Sequence, residues 1–135
     1  GEIKTKNKFD FAYRKGPLDS GEILIEAKFK LNKGKKEEII KKQMQFLQKR
    51  KSLQPSLPSC GSVFMRGKDF SPAKLIDEWR LKGLTVGGAM ISTKHAGFIV
   101  NANDATFEDV ILLIQIVEWI AKSKGYEFER EIKII

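Results

Sequence analysis

Apolar and charged side chains alternate along two stretches of the chain, and between them the pattern becomes helical. One face of residues 23–31 is apolar, whereas Glu26, Lys28 and Lys30 point the other way. A period of two with a polar outer face predicts a half-buried strand. In residues 34–50, Ile40, Met44 and Leu47 follow helical spacing, so a helix is predicted there. The alternation in residues 127–134 predicts a last strand.

The middle of the chain contains shorter elements separated by turn residues. Residues 51–61 are rich in proline and serine and predict a loop, followed by a short strand at 62–64. Ser71 and Pro72 have the order of an N-cap and a first helical residue, and that helix should end at Gly83. Two further strands are predicted at 85–92 and 97–101.

The strongest helical pattern covers residues 107–123. Thr106 and Asp109 have the spacing of a capping box, and the apolar stripe that follows is wide enough for a core helix. Strands and helices alternate without strict βαβ repetition. The pattern therefore predicts an α+β fold, with a small mixed or antiparallel sheet packed against two or three helices.

Length and composition limit the classes of protein that need consideration. A chain of 135 residues suits one compact domain, or one domain with a fragment of another. No run approaches the roughly 20 apolar residues of a membrane span, and the polar first residues do not match a secretory signal. Cys60 is the single cysteine, so no internal disulfide can form, which fits the cytoplasm. We expect a cytoplasmic protein without a membrane partner.

The formal net charge of +8 suggests an anionic partner. Much of the surplus lies between Lys33 and Lys51, where either a solvated helix face or a polyanion site would explain it. A small nucleic-acid-binding domain is a third reading. The chain lacks aromatic and basic residues interleaved in the manner of RNA-binding sheets and has no helix-turn-helix signature, so we expect no nucleic-acid partner.

Single residues give only weak indications of chemistry. With one histidine and one cysteine, a metal cluster is not expected. The paired glycines of VGGA (86–89) lack dinucleotide-loop spacing and are predicted to allow close backbone packing. Ser62 follows Gly61 at a junction between a loop and a strand, where it is either a turn serine or a hydroxyl open to a ligand. Glu131, taken alone, is a surface carboxylate.

Several motifs occur in an order that resembles one enzyme family. They are F-x-Y-R (11–14), Q-P (54–55), P-S-x-G-S-V-F (58–64), the run from L-I-D-E-W-R to G-F-I-V-N (75–101), A-T-F-E-D-V (105–110) and E-F-E-R-E-I-K (127–133). Over essentially the whole chain they resemble the UDP-N-acetylenolpyruvoylglucosamine reductase (MurB) family, and most closely its shorter type II branch.

The resemblance implies a step in peptidoglycan precursor synthesis. In that family NADPH reduces bound FAD, and the reduced flavin passes a hydride to the enolpyruvyl group of UDP-N-acetylglucosamine enolpyruvate, giving UDP-N-acetylmuramate. We therefore expect a monomeric oxidoreductase of the bacterial cytoplasm. The alternative is a UDP-sugar-binding module of the same fold that performs no redox chemistry.

Three residues match the catalytic positions of the family. Ser62 matches its proton donor, and a hydroxyl held in place can protonate an enolate-like carbanion. Arg14 matches the arginine expected to hold the substrate carboxylate. Glu131 matches the C-terminal glutamate that stabilises the enolic intermediate, which we expect to act as a neutral acid.

Other matched positions are expected to bind the substrate. Lys82 of L-K-G is assigned to the diphosphate and sugar, as are His95 and Asn101. Arg50 lies where the family keeps a basic residue. Tyr13 of the Y-R motif is also expected to bind the substrate. Two stretches depart from the family pattern. Lys15-Gly16-Pro17 follows Arg14, and Met65-Arg66-Gly67 follows the G-S-V-F motif, so Arg66 is not assigned to the substrate.

The resemblance also divides the chain. Residues 1–31 would be the tail of the FAD-binding domain, 32–50 a connecting helix, and 51–135 the substrate-binding domain. The glycine-rich flavin loops of the family lie upstream of Tyr13 and do not occur in this sequence. FAD is therefore expected to be bound mainly by an N-terminal half outside these residues, and the fragment alone is expected to be inactive.

Overall fold

A computed structural model describes residues 2–18 and 21–134. The chain separates into two compact units, Gly1–Lys35 and Lys36–Ile135, and each unit is described by itself. In the first unit a tight turn joins Ala12 and Lys15 by two backbone hydrogen bonds of 3.0 and 3.2 Å. The strand predicted at 23–31 is wrong: these residues form no strand, and Ile23 and Phe29 are exposed. A strand needs a neighbour to satisfy its backbone groups, and the described part of this unit supplies none.

The second unit begins with helix α1, Lys36–Leu53, which confirms the helical pattern. Glu37 and Glu38 lie in its first turn and Arg50 and Lys51 in its last, as the helix dipole favours. None of its residues is buried. Its apolar positions, Met44 among them, are thus not covered within the second unit.

A four-stranded antiparallel sheet organises the rest of the unit. The strands are β1 (Ser59–Ser62), β2 (Thr85–Val86), β3 (Ala89–Ile91) and β4 (Phe98–Asn101), in the order β1-β4-β3-β2. Helices α2 (Pro72–Glu78) and α3 (Phe107–Ser123) complete the second unit. The α+β class with an antiparallel sheet is confirmed. The strand predicted at 62–64 instead ends at Ser62, and Phe64 makes only an isolated bridge.

A tight turn at Gly87 and Gly88 divides the single strand predicted at 85–92 into β2 and β3. Gly87 has a φ of +51°, a conformation that favours glycine. A Cβ on Gly88 would lie 1.9 Å from the carbonyl oxygen of Asn103. The pair therefore serves close backbone packing, as the sequence predicted.

Both predicted helix starts are confirmed. Ser71 precedes α2 at the N-cap, although its side chain makes no cap hydrogen bond. That helix ends at Glu78 rather than Gly83, because Arg80 already has a left-handed φ of 58°. At α3, Thr106 Oγ1 accepts from the Asp109 N–H at 3.1 Å, and Asp109 Oδ2 accepts from the Thr106 N–H at 3.0 Å.

The core lies between α3, α2 and one face of the sheet. Its most deeply buried large side chains are Ile76, Ile91, Leu113, Ile114, Val63, Val100 and Val117. The last strand, predicted at 127–134, is reduced to one bridge between Phe64 and Arg130. The chain bends at Ile132, and the pairing with residues 63–65 does not extend beyond Glu131.

Candidate functional site

An irregularity in β1 places Ser62 at the end of the sheet. Three residue steps from Ser59 to Ser62 oppose two steps in β4, from Val100 to Phe98. The extra residue is a bulge, and Gly61 within it has a φ of +90°. Ser62 Oγ donates to the carbonyl oxygen of Phe64 over 3.4 Å, a long and therefore weak hydrogen bond. The hydroxyl is half-buried and loosely held.

The backbone of Glu131 lies beside the residues that directly follow Ser62. The Glu131 N–H donates to the Val63 carbonyl at 2.8 Å, and the Met65 N–H donates to the Glu129 carbonyl at 2.8 Å. Paired backbones lie about 5 Å apart, so Glu131 and Ser62 share one edge of the unit. Glu131 is half-buried. The structure thus places the backbone of Glu131 beside Val63, one residue after Ser62, although positions 62 and 131 are 69 residues apart in the chain.

Side chains anchor the segment that carries Glu131. Arg130 donates to both carboxylate oxygens of Glu118 on α3, from Nε to Oε1 at 2.5 Å and from Nη2 to Oε2 at 2.7 Å. The hydrogen bond to Glu118 raises the pKa of Arg130, against the smaller opposing effect of burial. Two residues before Arg130, the ring of Phe128 stacks on that of Trp79, with 5.8 Å between the ring centroids.

The turn between β3 and β4 holds His95 close to the same end of the sheet. Buried Ser92 accepts the N–H groups of Lys94 and His95 on its hydroxyl, at 3.2 and 3.3 Å. His95 Nδ1 accepts from the Gly97 N–H at 3.1 Å, so a neutral ring carries its proton on Nε2. The Gly97 carbonyl in turn accepts from the Val63 N–H at 2.9 Å, which links the turn to the residue after Ser62.

Lys82 lies at this end too, because the Gly83 N–H donates to the carbonyl of Ile91, the last residue of β3. Its ammonium is paired with Asp77 at 2.7 Å. Asn101 lies at the opposite end of β4, about 10 Å along the strand from Phe98. Its side-chain oxygen accepts from the Ala105 N–H at 3.0 Å and so shapes the chain before α3.

The C-terminal end of α1 borders an open groove of about 680 Å³ that runs to the bulge. The groove is lined by Leu47, Arg50, Lys51, Gln54, Pro55, Ser56, Ser59, Gly61 and Phe98. The Lys94 ammonium donates to the Lys51 carbonyl and fixes the end of the helix against the turn that holds His95. Arg50 therefore shares a groove with Gly61, next to Ser62.

Tyr13 and Arg14 belong to the first unit. The Arg14 guanidinium lies over the Tyr13 ring at 5.3 Å from its centroid, and Arg14 has a left-handed φ of 58°. Their predicted roles stay predictions.

Comparisons with known proteins now decide the family. Residues 53–135 match the family model described as the UDP-N-acetylenolpyruvoylglucosamine reductase C-terminal domain. The chain belongs to the UDP-N-acetylenolpyruvoylglucosamine reductase family. It is 44% identical to reductase 2 of Bacillus thuringiensis subsp. konkukian, over all of this chain and 46% of the relative. It is 47% identical to the reductase of Petrotoga mobilis, over 92% of this chain and 42% of the relative.

A solved member of the family has the same fold. The crystal structure of the reductase (MurB) from Thermus caldophilus superposes with a TM-score of 0.78 at 38% identity, over 91% of this chain and 44% of that one. The chain thus spans slightly less than half the length of the reductases it matches.

The structure also bears on cofactors and metals in this member of the reductase family. Gly87 and Gly88 are closed off by Asp109 and Asn103, so the paired glycines do not fit a flavin pyrophosphate. Among residues 2–18 and 21–134, no three His, Cys, Asp or Glu side chains are grouped to hold a metal ion. Within the same ranges, no helix has the length and hydropathy needed to cross a membrane.

Sequence reasoning missed Glu118 and Lys94 as residues that support the site. One signal was available for Glu118: it is the only acidic residue of α3 after the first turn, in a stretch that is apolar apart from Gln115. A carboxylate in such a stretch commonly has a cationic partner. Nothing in the sequence pointed to the contact between Lys94 and the end of α1.

Proposed function

We propose that this chain is the substrate-binding part of an enzyme that reduces UDP-N-acetylglucosamine enolpyruvate to UDP-N-acetylmuramate in the bacterial cytoplasm, acting as a monomer. The observation that carries the proposal is the pairing of residues 63–65 with residues 129–131. In that pairing Glu131, which matches the C-terminal glutamate of the reductase family, lies beside Val63, the residue that follows the match to the proton donor.

In the proposed reaction, FAD reduced by NADPH would supply the hydride. The paired glycines do not fit its pyrophosphate, and the proposal assigns no FAD contact to any described residue. We expect FAD to be held mainly by a flavin-binding half outside these residues. The roles assigned below concern only the substrate and the proton.

Ser62 delivers the proton that completes the reduction. Hydride addition leaves negative charge on the carbon next to the substrate carboxylate, and that carbon must be protonated. A serine hydroxyl is a weak acid, but a carbanion of this kind is basic enough to accept its proton when the two are held in place. The weak 3.4 Å bond from Ser62 Oγ to the Phe64 carbonyl is readily exchanged for a substrate contact.

Glu131 and Arg14 stabilise the charge that develops on the substrate. Glu131 is assigned a hydrogen bond to the enolic oxygen on which negative charge develops. Arg14 holds the substrate carboxylate with its planar guanidinium.

The basic groups at the Ser62 end of the sheet suit the diphosphate. Lys82 reaches it by exchanging its 2.7 Å contact with Asp77, and His95 offers an Nε2–H donor. Arg50 contributes from the groove at the end of α1. Tyr13 and Asn101 are assigned to the substrate from the resemblance alone.

NADPH consumption that depends on substrate distinguishes the reductase from the alternative, a UDP-sugar-binding module without redox chemistry. We expect a reductase that carries these 135 residues to oxidise NADPH continuously only when the enolpyruvyl substrate is present to reoxidise the flavin, and Glu131→Gln to slow that turnover by about 100-fold. Glu129→Gln, two residues earlier, is the matched control. Substrate binding without NADPH oxidation in the unsubstituted protein would favour the alternative.

A further inference from the structure

The ion pair between Arg130 and Glu118 has the geometry of a rigid clamp. Nε and Nη2 of the guanidinium donate to the two oxygens of one carboxylate, at 2.5 and 2.7 Å. Two parallel bonds fix the plane of the guanidinium as well as its distance. The side chains are only 32% and 27% exposed, so water screens the pair less than a surface pair. The other end of the clamp is α3, the most deeply packed helix of the unit.

The clamp lies one residue before Glu131. Residues 129–131 are paired with residues 63–65, and successive side chains of such a segment project to opposite faces. Holding Arg130 against α3 therefore sets the side of the segment on which Glu131 emerges. After Glu131 the chain bends at Ile132, and no other residue in the described ranges 2–18 and 21–134 forms a backbone hydrogen bond with residues 132–134.

We propose that Arg130 and Glu118 are positioning residues for Glu131. They hold its carboxyl group at the edge that it shares with Ser62, and neither touches the substrate. This inference rests on the proposed function, since it requires Glu131 to act on the reacting group. It extends that function by tying the site to α3 through a contact outside the positions matched to the family's site.

The test compares Glu118→Gln with Glu78→Gln in the reductase that carries this chain. Glu78 pairs with Lys74 on the exposed side of α2, so the control makes the same chemical change in an exposed pair. We expect Glu118→Gln to lower kcat for substrate reduction by about 10- to 100-fold, because small misplacements of a catalytic group are costly. KM and the rate of flavin reduction by NADPH should stay within about twofold, and Glu78→Gln should change none of the three.

A second readout reports the position of the segment directly. Amide exchange at Glu131 and Met65, whose N–H groups pair the two segments, should become at least about 10-fold faster in Glu118→Gln and stay unchanged in Glu78→Gln. Arg130→Lys keeps the charge but not the paired geometry, so it should lower kcat less than Glu118→Gln does. If Glu118→Gln does not fold, Arg130→Lys decides: a lower kcat at an unchanged melting temperature supports positioning, and an unchanged kcat refutes it.

Glu131→Gln separates failure of this inference from failure of the proposed function. Slow turnover in Glu131→Gln with normal turnover in Glu118→Gln would leave the function standing and overturn the positioning role. Normal turnover in Glu131→Gln would remove the role of Glu131 and the positioning role with it.

Discussion

Gly88→Ala is expected to destabilise the second unit more than any other glycine-to-alanine change considered below. A Cβ at this position would lie 1.9 Å from the Asn103 carbonyl oxygen and 2.4 Å from the Ala105 nitrogen. Both are backbone atoms, so no rotation of a side chain relieves the contact. The turn between β2 and β3 would have to move away from the segment that leads into α3.

The magnitude follows from what that movement breaks. The Gly88 carbonyl accepts the N–H groups of Ala102 at 2.9 Å and Asn103 at 3.1 Å. Two such bonds contribute about 1 kcal/mol each. Forcing a methyl group into a packed position costs about 1–3 kcal/mol more. The free energy of unfolding should therefore fall by about 3–5 kcal/mol, a large share of the roughly 5–15 kcal/mol of an ordinary domain.

Urea and thermal unfolding, followed by circular dichroism, measure this loss. For a unit of this size the melting temperature should drop by about 12 °C or more. Gly125→Ala is the control: Gly125 has a φ of +81° but no atom within 4 Å of the added Cβ. It should lose only the roughly 1–2 kcal/mol of a left-handed alanine. A loss for Gly88→Ala no larger than that of Gly125→Ala would refute the reasoning.

Three further predictions concern the helices. Leu113→Ala should lower the free energy of unfolding in urea by about 2–5 kcal/mol because Leu113 is fully buried. Leu112→Ala, at a half-exposed position next to it, should lower it by less than about 1 kcal/mol. Equal losses would contradict the packing of α3. Hydrogen bonds from Thr106 and Gly88 hold the pKa of Asp109 below its ordinary value of 3.8. The stability that these hydrogen bonds give is present above pH 3.8 and is lost as pH falls through the lowered pKa. The free energy of unfolding should therefore fall less steeply at acid pH in Asp109→Asn than in the unsubstituted protein, and an equally steep fall would contradict the prediction. Lys94→Met should speed amide exchange in the last turn of α1, since the Lys51 carbonyl loses its cationic partner, and Lys122→Met should not alter that turn.

The sequence was most informative where a local pattern and its packing agreed. The helix predicted at about 107–123 is confirmed as α3, because a capping box and an apolar stripe point to the same helix. The strand at 23–31 failed because alternation says which side chains share a face but not whether another strand is present to pair with it. The hairpin at 85–91 was read as one strand because β2 and β3 are short, and Gly87-Gly88 was interpreted as a packing feature alone.

For the site, the resemblance supplied residue positions, and the structure supplied their surroundings. Nothing local to Ser62 or Glu131 predicts that residues 63–65 pair with 129–131, since that contact depends on the whole fold. The contacts of Lys82 with Asp77 and of Asn101 with the Ala105 N–H were equally out of reach, because spacing along a chain does not reveal which side chains meet.

The most direct test of the account is a single-turnover measurement of proton delivery. In a reductase that carries these residues, flavin is first reduced by NADPH, the enolpyruvyl substrate is then added, and formation of UDP-N-acetylmuramate is followed in Ser62→Ala and in the control Ser123→Ala. Ser123 is the exposed last residue of α3, and its hydroxyl donates to the Ile120 carbonyl at 2.8 Å. The account predicts product formation about 100-fold slower or worse in Ser62→Ala, with flavin reduction intact and Ser123→Ala normal. Product formation at the normal rate in Ser62→Ala would contradict it.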